Sequence, residues 1–489
     1  MTLMGRSTRV GIHAQHVAVR TRVIAINLVI AVLEPPPLPL AFDTLNIISL
    51  SHSRDATREN IETATRLQAS YRQRMETLKP QVITETVEVT GHVIDSPTLA
   101  MILDRILASG ADYRITDIDI GRTNLDQSHV VIDVSASEPK LLEDLLSELH
   151  AHGVNRTAGA GDAELVACND DGVLPDGFYS TTNLPTEARI TGRWLKVELP
   201  EMDCALAFDP ASDQLRAVPM HKVKARDLVV VGERGVRVKA PERARDTTNF
   251  EFMSSDASSE KPKEMIVAHI AERMRAARAA NPAGRILAVC GPAVIHTGAG
   301  PALSRLVRHG WIDVLFAGNG FAAHDIESNV LGTSLGVSIG DGAQVTGGHS
   351  NHLRVINAVR RHGSIAAAVE SGYLHSGVMY ETIRRGAPFV LAGSLRDDGP
   401  LPDVITDVLT AADTMRSHLS GVRVALILAS TLHAIATGNL LASSVETFCV
   451  DINHAVVTKL ADRGSHQALG VVTDVGLFTS ALASALCDC

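Results

Sequence analysis

Between Val422 and Phe478 the chain alternates three short apolar runs with two segments of helical spacing, reading VRVALILAS, TLHAIATGNLL, VETFCVDI, HAVVTKLADRG and VVTDVGLF. The runs Val424–Leu428 and Phe448–Val450 are short and bounded by turn or polar residues, the pattern of strands buried on both faces of a parallel sheet. The helical segments are expected to end at Gly438–Asn439 and Gly464, which read as C-terminal caps. Strand, helix, strand, helix, strand makes a parallel crossover unit. Its first strand runs into Ser430, Thr431, Leu432 and His433 at a helix N-terminus, where free backbone N–H groups suit a pyrophosphate. Its second ends in Asp451, about twenty residues further on, where a dinucleotide-binding fold bonds a ribose hydroxyl. The third ends in Thr473 and Asp474, on the same edge. No GxGxxG fingerprint is present, so a buried α/β core without a cofactor stays open as a reading of this stretch alone.

The same alternation extends back to Met265. Helix 263–280 leads to the strand RILAVC, and further strands IDVLFAGNG and FVLAGS are separated by helical segments. Five or six parallel strands make a doubly wound, Rossmann-like sheet over 247–489. Ahead of it, 159–246 is rich in strands, with Gly232 and Gly235 marking a hairpin. The Ser-rich stretch 247–264 reads as a linker packed at a seam. Residues 81–158 give β-α-β-β-α, a small α+β domain with Ser96 as a helix N-cap and His92 and Asp119 as ordinary surface residues. Residues 1–80 differ from the rest. Arginines precede the apolar run Val23–Leu33 and the Pro35–Pro36–Pro37 triplet, and a polar helical segment follows. The run is short for a bilayer, and a poorly ordered extension is expected rather than a targeting segment. The fold class is therefore α/β, with a small α+β domain and a β-rich segment before the Rossmann-like domain.

A net charge of -10 with no persistent Lys/Arg face argues against nucleic acid as the partner. No membrane association is expected either. Six cysteines without a CxxC pair suit a reduced cytoplasmic setting, with Cys290 and Cys449 as inert thiols in buried strands. Aromatics make up only 3% of the chain, so aliphatic side chains must fill the cores.

Polar residues crowd the positions just past each strand, which in a doubly wound sheet line one crevice. They include His296, Asn319, Gly320, His324, Asp325, Glu327, Asp397 and Asp398. GGHSNH adds His349 and His352 at i and i+3. A metal is not expected there, because no carboxylate or cysteine stands at matching spacing. Proton transfer or carboxylate binding is the expected use of these imidazoles.

The segments FYSTTNLPT, FEFMSSDASSE, GPAVIHTGAG, LFAGNGFAAHDIE, GTSLGV, AGSLRDDGPLPDVITDV and CVDINHAVVTKLADRGSHQALGVVTDVGLF resemble the archaeal-type ornithine cyclodeaminases. Residues 82–155 resemble the domain named after lysine–oxoglutarate reductase/saccharopine dehydrogenase bifunctional enzymes. The likeness runs from about residue 80 to the C-terminus. Cyanobacterial members carry an arginine dihydrolase domain in front, and the first 80 residues here are not expected to hold one. The resemblance implies conversion of L-ornithine to L-proline and ammonia, with tightly held NAD taking a hydride and returning it. It implies NAD contacts from Asn319, Gly320, Asp398, Ser430, Thr431, Leu432, His433, Asp451 and Asp474. By position, His296, His324, Asp325, Glu327, His349 and His352 are the catalytic candidates. The sequence departs from the family in having His454 and Ala442 where prolines are common, and in its GGHSNH variant. A small amino-acid substrate and a homo-oligomer are expected. The competing expectations are another NAD-dependent amino-acid dehydrogenase, or a non-catalytic NAD-responsive binding module.

Overall fold

The computed structural model describes residues 82–488, apart from 95–97, 123–125, 158–160, 241–262, 339–347, 398 and 463–467. The expectations for residues 1–80, for the Ser96 cap, for most of the Ser-rich linker and for the Gly464 cap lie outside the described residues.

The first sheet is built from β1 (Ile83–Gly91), β2 (Asp112–Asp119), β3 (Ser128–Ala136) and β4 (Val154–Arg156), with α1 (Thr98–Ala108) after β1 and α2 (Pro139–His150) after β3. Its order is β2-β3-β1-β4, all antiparallel. Strict alternation along β3 buries Val130, Ile132 and Val134 beneath Ile102, Ile106, Leu142 and Leu149 of the two helices. His92 is buried rather than on the surface, because the chain turns inward after β1.

A second, seven-stranded sheet comprises β5 (Glu164–Ala167), β6 (Thr186–Ile190), β7 (Arg193–Glu198), β8 (Ala205–Asp209), β9 (Gln214–Val218), β10 (Leu228–Val231) and β11 (Val236–Val238). The order β11-β6-β7-β9-β8-β10-β5 corrects one expectation. β10 and β11 do not form a hairpin. Gly232 and Gly235, both at positive φ, let the chain leave β10 and rejoin the sheet beside β6 near its other end.

The third sheet is wholly parallel, in the order β17-β16-β13-β12-β18-β19-β20. Its strands are β12 (Arg285–Cys290), β13 (Val314–Gly318), β16 (Phe389–Ala392), β17 (Val404–Ile405), β18 (Val422–Leu428), β19 (Glu446–Asp451) and β20 (Ala468–Val472); a separate small hairpin is made by β14 (Thr333–Ser334) and β15 (Val337–Ser338). Seven strands rather than five or six take part, because the two-residue β17 adds to the edge. Alternate residues feed two apolar layers. Ile286, Ala288, Leu426 and Val450 face the layer that holds α3 (Lys263–Ala279) and α5 (Gly300–Arg308). Leu287, Val289, Ala425 and Cys449 face the layer that holds α10 (Val408–Ser417) and α12 (His454–Asp462). Burial on both sides is why these strands read as continuous apolar runs.

The chain moves outward from β12 through β13 and β16 to β17. It then returns beside β12 to lay down β18, β19 and β20 on the other side. The topological switch point is therefore between β12 and β18. Among the described residues no helix is long and apolar enough to cross a membrane.

Candidate functional site

At the switch point the two central strands end against each other. Gly291 N donates to Leu428 O at 2.9 Å, and a Cβ on Gly291 would meet the Ala429 carbonyl oxygen at 1.9 Å. Only glycine fits there. Ala429 itself takes a left-handed φ of 46°, an uncommon conformation for a residue with a side chain. It turns the chain from β18 into α11 (Leu432–Leu440), whose Thr431 N-cap makes no side-chain hydrogen bond. The first-turn N–H groups of α11 thus have no side-chain partner from Thr431. Ser430 is buried at this turn, and Thr431 and Leu432 are exposed. The helix runs through Gly438 and Asn439 to Leu440, so these two do not cap it as expected. Packing of Thr437 and Gly438 in the core carries the helix past them.

His433 lies across the strand ends, close enough that a Cβ on Gly318 would sit 2.8 Å from its Cε1. Burial holds its imidazole below the ordinary value, with Asp397 opposing that shift. Asp451 ends β19, is buried, and accepts from Asn453 N at 2.7 Å through Oδ1. Its Oδ2 has no protein partner among the described residues. Asp474 caps α13 (Val475–Cys487) by accepting from Leu477 N at 2.9 Å. Asn319 opens α6 (Asn319–Leu331), and its Oδ1 accepts from Leu401 N at 3.0 Å. Gly320 packs on Pro292, where a Cβ would approach Cγ at 3.2 Å. Asp398 lies outside the described residues.

A second group of side chains follows the same strand ends. His296 closes α4 (Ala293–His296), and His324 is on α6. Their ring centroids are 4.6 Å apart, and His352, on α7 (Asn351–His362), is 6.0 Å from His324. Glu327 organises the cluster. His324 Nδ1 lies 2.8 Å from its Oε2, while Thr333 Oγ1 donates to its Oε1 at 2.8 Å and Gly336 N donates at 3.4 Å. Asn351 Nδ2 donates to Thr333 Oγ1 at 2.9 Å. Burial works to raise the Glu327 carboxyl, but the hydrogen bonds from His324 and Thr333 outweigh it and hold it below the usual range. A carboxylate on Nδ1 holds the ring N–H at that nitrogen, so that in the neutral form of the ring the lone pair is on Nε2. His296 Nδ1 is 2.6 Å from Ser334 Oγ. Burial, with the His324 ring adding to it, lowers His296 to about 4, so it is neutral at neutral pH.

Asp325 stands apart from these rings. It is fully buried, and its two oxygens accept from Val378 N at 3.0 Å and Met379 N at 2.8 Å, at the start of α9 (Val378–Arg385). Burial raises its carboxyl to about 6 against those two bonds. The side chain of His349 lies outside the described residues.

Thr333, Ser334 and Asn351 were not among the residues singled out from the sequence, although GTSLG, with its two glycines, marks a tight turn. Lys263 was missed as well. Its Nζ donates to Val472 O at 2.9 Å, which ties the start of α3 to the end of β20. Among the described residues, no three His, Cys, Asp or Glu side chains form a group that would hold a metal ion.

Residues 268–482 match the family described as arginine dihydrolase ArgZ-like, C-terminal, Rossmann fold. Residues 84–184 match the LOR/SDH bifunctional enzyme conserved region, and 185–267 match the first region of the ArgZ-like C-terminal part. The ornithine cyclodeaminase of Methanocaldococcus jannaschii is 50% identical over 404 residues, covering 82% of this chain and 95% of that one. The bifunctional arginine dihydrolase/ornithine cyclodeaminase of a Nostoc species is 45% identical over 82% of this chain and 58% of its own. The apo crystal structure of ArgZ, an arginine dihydrolase from the cyanobacterial ornithine–ammonia cycle, superposes with a TM-score of 0.71 at 36% identity, over 83% of this chain and 58% of that one. Three matched regions in consecutive order, and identity at 50% of 404 aligned positions with a relative along nearly its whole length, establish that this chain belongs to the ornithine cyclodeaminase family.

Proposed function

We propose that this protein converts L-ornithine to L-proline and ammonia, with NAD held along the C-terminal edge of the parallel sheet. The observation that carries the reading is a coincidence on that edge. A dinucleotide-type switch point and a carboxylate-ordered imidazole cluster follow the ends of neighbouring strands.

The edge fits a dinucleotide. Uncapped N–H groups at the start of α11 suit a pyrophosphate, and the Gly291 approach lets backbone come close. Asp451 would hold the adenosine ribose through Oδ2, and a carboxylate there favours NAD over its phosphorylated form. When bound, NAD supplies an acceptor that takes a hydride from the substrate and gives it back. Ornithine then loses one ammonia as its ring closes, and atoms balance without net oxidation.

The side chains of this chain would manage the protons. His324, oriented by Glu327, receives a proton at Nε2 from the substrate ammonium. His296 stays neutral beside it, so no second positive charge opposes an incoming cation. Asp325 acts at a distance by fixing the start of α9.

The test is one assay on the purified protein with L-ornithine and catalytic NAD, following proline, ammonia and NADH absorbance together. Equal proline and ammonia without NADH build-up is the expected result. Stoichiometric NADH would make the protein a dehydrogenase. Tight NAD binding without any turnover of ornithine would overturn the enzyme reading in favour of a binding module.

A further inference from the structure

The edge strand β2 is open, and its exposed isoleucines stand among four charged residues, Asp112, Arg114, Asp117 and Asp119. It pairs only with β3 among the described residues. Ile115 and Ile118 in it are 37% and 44% exposed, and Ile120, just past its end, is 54% exposed. Natural sheet edges are commonly blunted with charge, proline or a bulge; β2 has no lysine or proline, and its charges are of both signs. The strand has one irregularity, a register shift between Ile115 and Asp117. That bulge does not turn apolar side chains away. It places Tyr113, Ile115 and Ile118 opposite Val134, Ile132 and Val130, all on the face that carries the core.

We propose that β2 is the surface through which two copies of this chain associate, pairing antiparallel about a two-fold axis between Thr116 and Asp117. The strand is complementary to itself in this register. Ile115 falls opposite Ile118 of the other copy, and Tyr113 opposite Ile120, which extends the apolar face across the axis. Arg114 falls opposite Asp119, and by symmetry the pair occurs twice. Neither Arg114 nor Asp119 makes an ion pair within its own chain among the described residues. A foreign segment laid on this edge would satisfy the backbone equally well, but it would not require β2 to match its own reversed sequence. The product is a continuous eight-stranded sheet with its edges moved to the two β4 strands.

The full-length protein is tested by light scattering and sedimentation across a range of concentration. Self-association is expected, and Ile118→Lys should shift the mass to the next smaller species. Arg114→Asp and Asp119→Arg should each weaken association on the order of ten-fold, because each places two like-charged pairs across the axis. The double variant R114D/D119R should restore it, a rescue that a folding defect would not give. Protection of 112–120 from hydrogen exchange should rise with protein concentration. A monomer at all concentrations, association indifferent to both Ile118→Lys and Arg114→Asp, or concentration-independent protection of β2 would overturn the proposal.

Discussion

Glu327 shows how one side chain sets the character of its neighbours. It is buried, yet three hydrogen bonds hold it as an acceptor, and its contact with His324 decides which nitrogen of that ring carries the proton. Glu327→Gln keeps the shape but presents an amide donor on one side. If that amide turns to His324 Nδ1, the lone pair moves off Nε2, and turnover should fall roughly 10²–10⁴-fold. Steady-state kinetics would check it, with NAD affinity unchanged. The same variant bears on pH. The folded Glu327 carboxyl lies below its ordinary value, so its contribution to stability is present above the unfolded pKa and is lost as pH falls through the folded one. Denaturant unfolding of the Gln variant should lack that acid-side loss. Asp325 illustrates the limit of reading residues one by one. Its neighbours His324 and Glu327 in the sequence are in the cluster, but its own acceptors serve N–H groups 53 and 54 residues further on. No local spacing reveals that role.

The β18–α11–β19 unit was legible because its physics is local. Apolar strands, a helix start and a terminal Asp451 are spaced as a crossover requires, and the structure places them so. The join between β12 and β18 was not legible, since the contact of Gly291 with Ala429 spans more than a hundred residues of chain. Gly291→Ala is expected to force the two strand ends apart, with a stability loss of about 1–3 kcal/mol. NAD affinity should drop as well, because the same backbone would face the cofactor. Unfolding curves and NAD titration of the one variant would measure both, and unchanged NAD affinity would take this join out of the cofactor site. The misread hairpin at Gly232–Gly235 has the same origin. Two glycines between apolar runs signal a turn, but which strands then pair is decided by the rest of the sheet.

At the scale of the whole molecule, the β-rich sheet is bolted to the NAD-type sheet. Arg416 on α10 makes two bonds of 2.8 and 2.9 Å to the buried Glu201, and a third of 2.8 Å to Asp413. His221 and Lys222 reach Asp413 from the β-rich side. Two backbone bonds, Met202 N to Asn439 O and Ser443 N to Asn183 O, both 2.9 Å, clamp the chain that leaves α11. Arg416→Ala leaves Glu201 buried without its cation and should cost about 3–5 kcal/mol. Replacing both Arg416 and Glu201 by leucine should recover much of that, because a matched apolar pair removes the unpaired charge. Equilibrium unfolding of the single and double variants would check the pair.

The amino-acid sequence by itself determined the fold class, the parallel sheet and the residues at its strand ends, because alternation, caps and spacing act over a few residues. It also carried the family likeness. Only the tertiary structure decided which of those strand-end residues meet. It joined His296 to Ser334 and Glu327 to Thr333, set Asp325 beneath α9, and moved β10 and β11 apart. Those outcomes depend on contacts between distant parts of the chain, where chain-closure entropy and packing choose the partner and local propensity has no say.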